Sequence, residues 1–417
     1  MSHQNAAHIQ ELEARSAAID RLEDGQVALA RRQALIEDLT AAGEPARLLL
    51  ARNHMKLAVS LRQAGEVDAA VTELRMATSR FGDLVLPNGR SVAAEGLWLI
   101  ALYCLEAGSY EETVAVVETL VRRFGGAESD DQRIASALIN KGRALWALKR
   151  PEEQLETLWE VIAQFGSSRA PEVRQLVALA MFQRGAVFKA LGALEEALNA
   201  WGQLFDVFGK DPPHDASQLP FQAQAAKVET LVDERRIAEA RTAAEALIAT
   251  MRGARRSVVG EIGAALIRCG RALERAGELP MALEAFECAS ERLLGDPDDD
   301  LKILGVHAQI NVGVVRGRRG DERGALTAME AIVSLGAPAL VALDSIIKRA
   351  GESSSGVQEE RGPWALLLKG LVLEHLGRVD EANGSYAQVV ERFSANDSAT
   401  VELLVTAARD ARARLSG

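Results

Sequence analysis

Apolar residues recur along most of the chain at the spacing of an amphipathic α-helix. One such stretch places Val67, Ala70, Val71, Leu74 and Ala77 on a single face, because residues three and four apart are neighbours on a helix surface. Comparable stretches follow one another in pairs, with a short break inside each pair. No alternating run flanked by a hairpin dipeptide stands out between them. The pattern therefore predicts an all-α chain built from antiparallel helix pairs.

The helix pairs return about every 43 residues. The residue at the turn between the two helices of a pair serves as an anchor for the repeat. Seven residues before the anchor the chain has Gly or Ala in seven of eight repeats, and five residues after it Ala in six of eight. Such small residues inside helices predict that a neighbouring helix approaches closely there. The anchors are Gly65, Gly108, Lys149, Gly192, Arg235, Gly277, Gly320 and Gly377.

These columns resemble the tetratricopeptide repeat, which has a small residue in its first helix, Gly at the turn, and Ala and an aromatic residue in its second helix. Trp201, Phe286 and Tyr386 stand nine residues after their anchors, where the aromatic residue of that family falls. The resemblance covers roughly residues 45–394. It implies an α-solenoid, a right-handed superhelix of stacked antiparallel helix pairs whose first helices line a concave groove. The period exceeds the family's 34 residues, so a related helical-hairpin solenoid is the alternative.

Segments that break the period set the predicted domain boundaries. Gly25 and Ala30 repeat the anchor signature weakly, which favours a degenerate repeat before the array. A short coiled-coil helix is the alternative there and would imply oligomerisation through the N-terminal helices. The predicted organisation is an N-terminal helical cap or degenerate repeat at 1–44, repeats one to four at 45–209, a linker loop at 210–220, repeats five to eight at 221–394 with an inserted loop at 351–362, and a C-terminal capping helix at 395–417.

Composition and charge narrow the classes of function. The net charge of −11 argues against a general affinity for nucleic acid. No apolar run approaches 18 residues, so we expect no membrane-spanning helix, and the first ten residues carry no apolar signal core. Cys104, Cys269 and Cys288 have no paired spacing. They are predicted to be reduced core thiols of a cytoplasmic protein.

No motif in the sequence specifies a catalytic or metal site. Asp296, Asp298 and Asp300 resemble the start of a calcium loop, but Leu301 stands where that loop requires Gly. The six histidines lack metal-ligand spacing with Cys or Glu, and no Gly-x-Ser-x-Gly nucleophile motif occurs. The sequence therefore predicts no enzyme activity, no cofactor and no metal.

The first helix of each pair carries the predicted binding face. Positions ten, six and three residues before the anchor share one side of that helix. In repeats two to four this side combines aromatic and basic residues, the types that most often dominate binding energy. The alternative is that the aromatic residues fill the core between repeats. The predicted partner-binding residues are Trp98, Arg143, Trp146, Phe182, Lys189 and Arg271.

The resemblance and the absence of catalytic motifs predict a non-catalytic protein–protein interaction scaffold or adaptor. Its partner would be a peptide or helix with an acidic residue, held in the concave groove. The alternative is a sensor or regulatory repeat subunit that controls a separate effector enzyme or transcription regulator, since nearly the whole chain is repeat. A second basic region, around Arg316, Arg318, Arg319 and Arg323, is either a solvated edge or a site for an acidic partner or a phosphate group.

Overall fold

A computed structural model describes residues 3–22, 25–126, 131–352, 361–396 and 399–416. These residues form helices joined by turns and short connections, and no β-strand occurs among them beyond an isolated bridge between Val85 and Ser91. The prediction of an all-α protein built from repeated helix pairs is confirmed. The chain divides into two compact units, Met1–Gly192 and Ala193–Gly417.

Unit 1 stacks its helices in chain order. The second helix of each repeat packs against the first helix of the next, and the first helices of successive repeats also touch, as α5, α7 and α9 do. The helices of its described part are α1 (His3–Ile19), α2 (Gly25–Ala42), α3 (Arg47–Gln63), α4 (Val67–Phe81), α5 (Val92–Glu106), α6 (Tyr110–Phe124), α7 (Asp131–Ala147), α8 (Pro151–Phe165) and α9 (Pro171–Ala190).

Unit 2 continues the same sequential packing, with one additional helix, α17, between its last two repeats. The helices of its described part are α10 (Leu194–Phe208), α11 (Gln218–Asp233), α12 (Ile237–Arg252), α13 (Val259–Arg275), α14 (Leu279–Leu294), α15 (Asp299–Arg318), α16 (Glu322–Val333), α17 (Ala337–Glu352), α18 (Arg361–His375), α19 (Val379–Phe393) and α20 (Ala399–Ser416).

The predicted anchors are the residues at which the chain reverses between helices. All eight have a positive φ, including the two that are not Gly, Lys149 and Arg235, each at 58°. At the first turn the Gly65 N–H donates to the Arg62 carbonyl at 3.0 Å and the Glu66 N–H to the Leu61 carbonyl at 2.9 Å. This is the bond pair of a Schellman cap, so the repeat period reports a repeated backbone geometry and not only a residue preference.

In repeats six and eight, the small-residue column marks a close contact between the two helices of the repeat. A Cβ added to Gly270 would lie 2.5 Å from the Phe286 ring, and one added to Gly370 would lie 2.2 Å from the Tyr386 ring. Both rings are fully buried. The aromatic residue nine positions after the anchor therefore packs directly on the glycine seven positions before it. This contact holds the two helices of a repeat together.

The N-terminal helices α1 and α2 pack on the first repeat through a buried polar cluster. Arg32 is buried, donates to the Asn53 side chain at 3.0 Å and forms an ion pair with Asp20 at 2.7 Å. Ser16 donates to the same Asn53 oxygen at 3.1 Å. These contacts fix α1 and α2 against α3. Oligomerisation through the N-terminal helices stays a prediction.

The boundary between the compact units differs from the predicted one. The units divide at the turn of repeat four, after Gly192, and not within the Pro-rich segment 210–220. That segment lies inside unit 2, where it contains a 3-10 helix (His214–Ala216) and the start of α11 at Gln218. Proline sets local turns, whereas a unit boundary depends on how many contacts cross it.

The break in period before Gly377 contains a full helix, α17, packed against α15 and α18. Both ends of the predicted inserted loop at 351–362 are helical, because α17 extends to Glu352 and α18 begins at Arg361. Residues 353–360 of that prediction lie outside the described residues. After α19, the terminal helix α20 packs on α19 and α18.

Candidate functional site

The predicted binding residues of unit 1 lie on three successive first helices, α5, α7 and α9. On α7, Arg143 and Trp146 are three residues apart and therefore share a side of the helix. Trp146 is 50% exposed and Arg143 is exposed. Lys189, also exposed, occupies on α9 the repeat position that Trp146 occupies on α7, and α7 packs against α9. We call Arg143, Trp146 and Lys189 the α7–α9 face.

The two cations of the α7–α9 face have no intramolecular partner among the residues that the structure describes. Within the described part of the chain, neither Arg143 nor Lys189 makes a hydrogen bond or an ion pair. By contrast, the Arg62 guanidinium holds the Glu106 carboxylate by two bonds of 2.9 and 2.7 Å. The face thus presents an exposed indole beside unneutralised positive charge.

Trp98 is only partly exposed and belongs to an intramolecular cluster. The Arg133 guanidinium lies 5.0 Å from its ring centroid, within the range of a cation–π interaction. Arg133 in turn donates to the Glu95 carboxylate at 2.9 Å. The indole N–H of Trp98 is buried and finds no acceptor among the described residues. The structure therefore places Trp98 in the packing between repeats and not on an open surface.

The remaining two predicted residues stand apart from the α7–α9 face. Phe182 is partly buried on α9, ten residues before its anchor. Arg271 lies on α13 of unit 2, partly buried, with its Nε atom shielded from solvent. Of the six predicted binding residues, the structure groups three as exposed side chains on neighbouring helices.

The Arg-rich turn near Gly320 is engaged by carboxylates of unit 2. Arg316 donates to Glu287 at 2.5 Å, and Arg318 donates to Glu274 at 3.0 Å. The Glu274 side chain is fully buried and also accepts from Arg361 at 2.6 Å. A buried carboxylate needs such partners, because an unpaired buried charge is strongly destabilising. Arg316 and Arg318 are therefore parts of the internal packing.

Unit 2 contains a cleft of about 790 Å³ whose two lining arginines, Arg256 and Arg268, are both paired with carboxylates. Arg256 pairs with Asp296 at 2.9 Å, and Arg268 pairs with Glu229 at 2.7 Å. Neither guanidinium lacks a counter-charge. The cleft shows no convergence of side chains that would define a reaction.

The described residues contain no group of three or more His, Cys, Asp or Glu side chains arranged to hold a metal ion. The calcium-like run of aspartates instead begins a helix, since the Asp298 carboxylate accepts the backbone N–H groups of Asp300 and Leu301. The three cysteines are free and buried. Burial raises the pKa of the Cys269 thiol to about 12, which keeps it protonated and unreactive at neutral pH.

Sequence reasoning missed one exposed aromatic residue. Trp159 on α8 is 53% exposed, and the Arg184 guanidinium lies 5.1 Å from its ring. The signal was present in the repeat columns. Ten residues after the anchor the other repeats have Arg, Glu, Gly or Ala, and only repeat three has a large apolar side chain.

No single helix in the described parts of the chain is long and apolar enough to cross a membrane. By length and composition alone, Glu322–Val333 and Ala337–Lys348 pass the same test jointly, as a pair bent by 115°. No curated protein matches the sequence.

Two parts of the chain match models of the tetratricopeptide repeat family, residues 55–128 and residues 364–395. Among solved structures, a tetratricopeptide repeat protein from Parabacteroides merdae is 16% identical, covers 72% of this chain and 98% of its own, and gives a TM-score of 0.37. The apo form of RapI is 10% identical, covers 88% of this chain and 98% of its own, and gives a TM-score of 0.42. BtubC (BKLC) from P. vanneervenii is 14% identical, covers 64% of this chain and 87% of its own, and gives a TM-score of 0.34. At these values the structural likenesses carry no functional argument.

Proposed function

Because the chain belongs to the tetratricopeptide repeat family, we propose that it is a non-catalytic interaction scaffold or adaptor whose α7–α9 face binds a peptide or helix of a partner protein. Stacked helical repeats create extended surfaces suited to such binding. The observation that carries the proposal is the exposed Trp146 indole beside two cations, Arg143 and Lys189, that no carboxylate of the described chain neutralises.

The energetics of this face favour a partner that is apolar and acidic together. A tryptophan side chain contributes roughly 150–250 Å² when fully buried, so covering the exposed half of Trp146 removes on the order of 100 Å² from water. At about 25 cal/mol per Å² this contributes roughly 2–3 kcal/mol. A carboxylate placed against Arg143 or Lys189 adds a charge-assisted hydrogen bond. An amphipathic helix or extended segment can supply both groups.

The negative net charge of the chain opposes long-range attraction of an acidic partner. The net charge of −11 repels an acidic protein at long range, so the attraction depends on the local cations of the α7–α9 face. We expect binding to weaken as salt rises, because exposed charges are screened within about 10 Å at 0.1 M salt. We also propose a reducing, cytoplasmic setting, which the three buried and unpaired thiols support.

Affinity capture with matched variants tests the proposed function. The double variant Arg143→Glu/Trp146→Ala reverses one charge and removes the indole. Arg122→Glu on α6 changes charge equally at an exposed position outside the face. We expect wild type and Arg122→Glu to retain the same specific partner and the double variant to lose it. The absence of a specific partner, or equal retention by all three proteins, would count against the α7–α9 face.

A further inference from the structure

Successive repeats of unit 1 meet at a seam, where the second helix of one repeat faces the first helix of the next. At the seam between repeats two and three, Glu118 on α6 pairs with Lys141 on α7 at 2.9 Å. Glu118 stands ten residues after its anchor, and Lys141 stands eight residues before its own. These two repeat positions therefore face each other across the seam.

At the next seam the same positions hold Trp159 on α8 and Arg184 on α9. An indole thus replaces the carboxylate, while the cation remains. The Arg184 guanidinium lies 5.1 Å from the Trp159 ring and 5.1 Å from the Phe188 ring. Both rings hold the guanidinium by cation–π contact. The ion pair of the preceding seam is therefore replaced here by a cation–π contact with two aromatic rings.

Arg184 has no counter-charge in the described part of the chain. It makes neither a hydrogen bond nor an ion pair within the described residues, although the chain contains 59 acidic residues. Partial burial lowers the pKa of Arg184 by desolvation. Stacking on aromatic rings leaves the N–H donors along the guanidinium edge unused. Those donors have the planar fork geometry that matches a carboxylate.

The cluster lies on another side of α9 than the α7–α9 face. Phe188 follows Arg184 by four residues and therefore shares its side of the helix. Lys189 follows Arg184 by five residues, which is about 140° around a helix of 3.6 residues per turn. With Trp159 53% exposed, the cluster is open to a partner that does not enter the groove.

We propose that Trp159, Arg184 and Phe188 form a second interaction surface, which binds a protein segment presenting a carboxylate next to an apolar side chain. The carboxylate would accept two hydrogen bonds from Arg184 and take the place that Glu118 fills at the preceding seam. The apolar side chain would cover the exposed indole. Tryptophan and arginine are among the residue types most enriched at binding hot spots. This surface does not depend on the function proposed for the α7–α9 face.

Peptide display against the full chain tests this proposal. Random linear peptides are selected on wild type and then measured on variants. We expect the selected peptides that depend on this surface to carry Asp or Glu beside an apolar residue, and Arg184→Gln to weaken their binding by about tenfold or more. Arg184→Lys keeps the charge without the fork and should weaken binding less.

Trp159→Glu is the decisive variant, because it rebuilds in this seam the acid–base pair that Glu118 and Lys141 form in the previous one. We expect it to fold, with a midpoint of urea unfolding lowered by the loss of the half-buried indole, and to lose these peptides. Arg143→Glu/Trp146→Ala should keep them, which separates this surface from the α7–α9 face. The proposal is overturned if no acidic peptides are selected, if Trp159→Glu binds them unchanged, or if sedimentation shows that wild type self-associates through this surface and Trp159→Glu does not.

Discussion

Gly270 faces the ring of Phe286 inside repeat six, and an added methyl group has no room there. A Cβ would lie 2.5, 2.7 and 2.9 Å from three ring atoms, well inside ordinary contact distance. Phe286 is fully buried in the core of unit 2, so its ring cannot move into solvent to relieve the overlap. We therefore predict that Gly270→Ala destabilises the protein, although alanine is the better helix former.

The magnitude follows from two opposing contributions. Replacing a mid-helix glycine with alanine stabilises a helix by roughly 1 kcal/mol. Overpacking a close-packed core costs about 1–3 kcal/mol. The net loss in the free energy of unfolding should be up to about 2 kcal/mol. Gly384→Ala is the matched control, because Gly384 lies mid-helix in α19, is exposed, and an added Cβ meets no atom within 4 Å. It should gain roughly 1 kcal/mol.

Urea unfolding followed by far-UV circular dichroism measures both changes. Opposite signs for Gly270→Ala and Gly384→Ala are the expected result. A double-mutant cycle with Phe286→Leu should show that the cost of Gly270→Ala falls when the ring is absent. If Gly270→Ala stabilises the protein as much as Gly384→Ala does, then the small-residue column does not mark close packing and the interpretation of the repeat is wrong.

Three further predictions concern strain, buried charge and pH. Lys149→Gly and Arg235→Gly should each raise the midpoint of urea unfolding, because a left-handed backbone costs roughly 1 kcal/mol for a residue with a side chain. The greater flexibility of glycine in the unfolded chain offsets part of this gain. A lowered midpoint in both variants would contradict the prediction. Glu274→Ala should cost about 3–5 kcal/mol by leaving Arg361 buried without its carboxylate, and calorimetry showing no shift in Tm would refute it. Burial raises the pKa of Cys269 from 9.0 to about 12. As pH rises, the thiol therefore loses its proton at a lower pH in the unfolded chain than in the folded protein. Stability should therefore fall between about pH 9 and 12, by up to roughly 1.4 kcal/mol per pH unit. Cys269→Ala should show a shallower pH dependence of urea unfolding than wild type.

Much of the fold could be predicted because each repeat imposes the same local requirements. Lys149 and Arg235 were placed at turns by the period alone, and both adopt the left-handed backbone that glycine adopts at the other anchors. Gly270 and Gly370 signalled close approach, and each contacts a buried ring. The backbone reversal and the small residue are set by local requirements, so both can be predicted from a single sequence.

The candidate site was harder to predict because exposure depends on neighbouring repeats. Trp98 and Trp146 both lie on the predicted binding face of a first helix, yet Arg133 from the next repeat contacts the Trp98 ring, while Trp146 is half exposed. Trp159 is the one large apolar residue of its own column, but its contact with Arg184 appears only when that column is compared with the facing column. Pairing across seams is a property of two repeats together, which a single column does not show.

A photo-crosslinking amino acid at position 146 tests most directly whether the α7–α9 face holds a partner. Trp146 is replaced by benzoylphenylalanine, and the same residue is placed at Glu111, an exposed position on α6, as the control. We predict one specific adduct from position 146, no such adduct from position 111, and loss of the adduct when Arg143→Glu is added. Equal labelling from both positions, or an adduct that persists with Arg143→Glu, would contradict binding through this face.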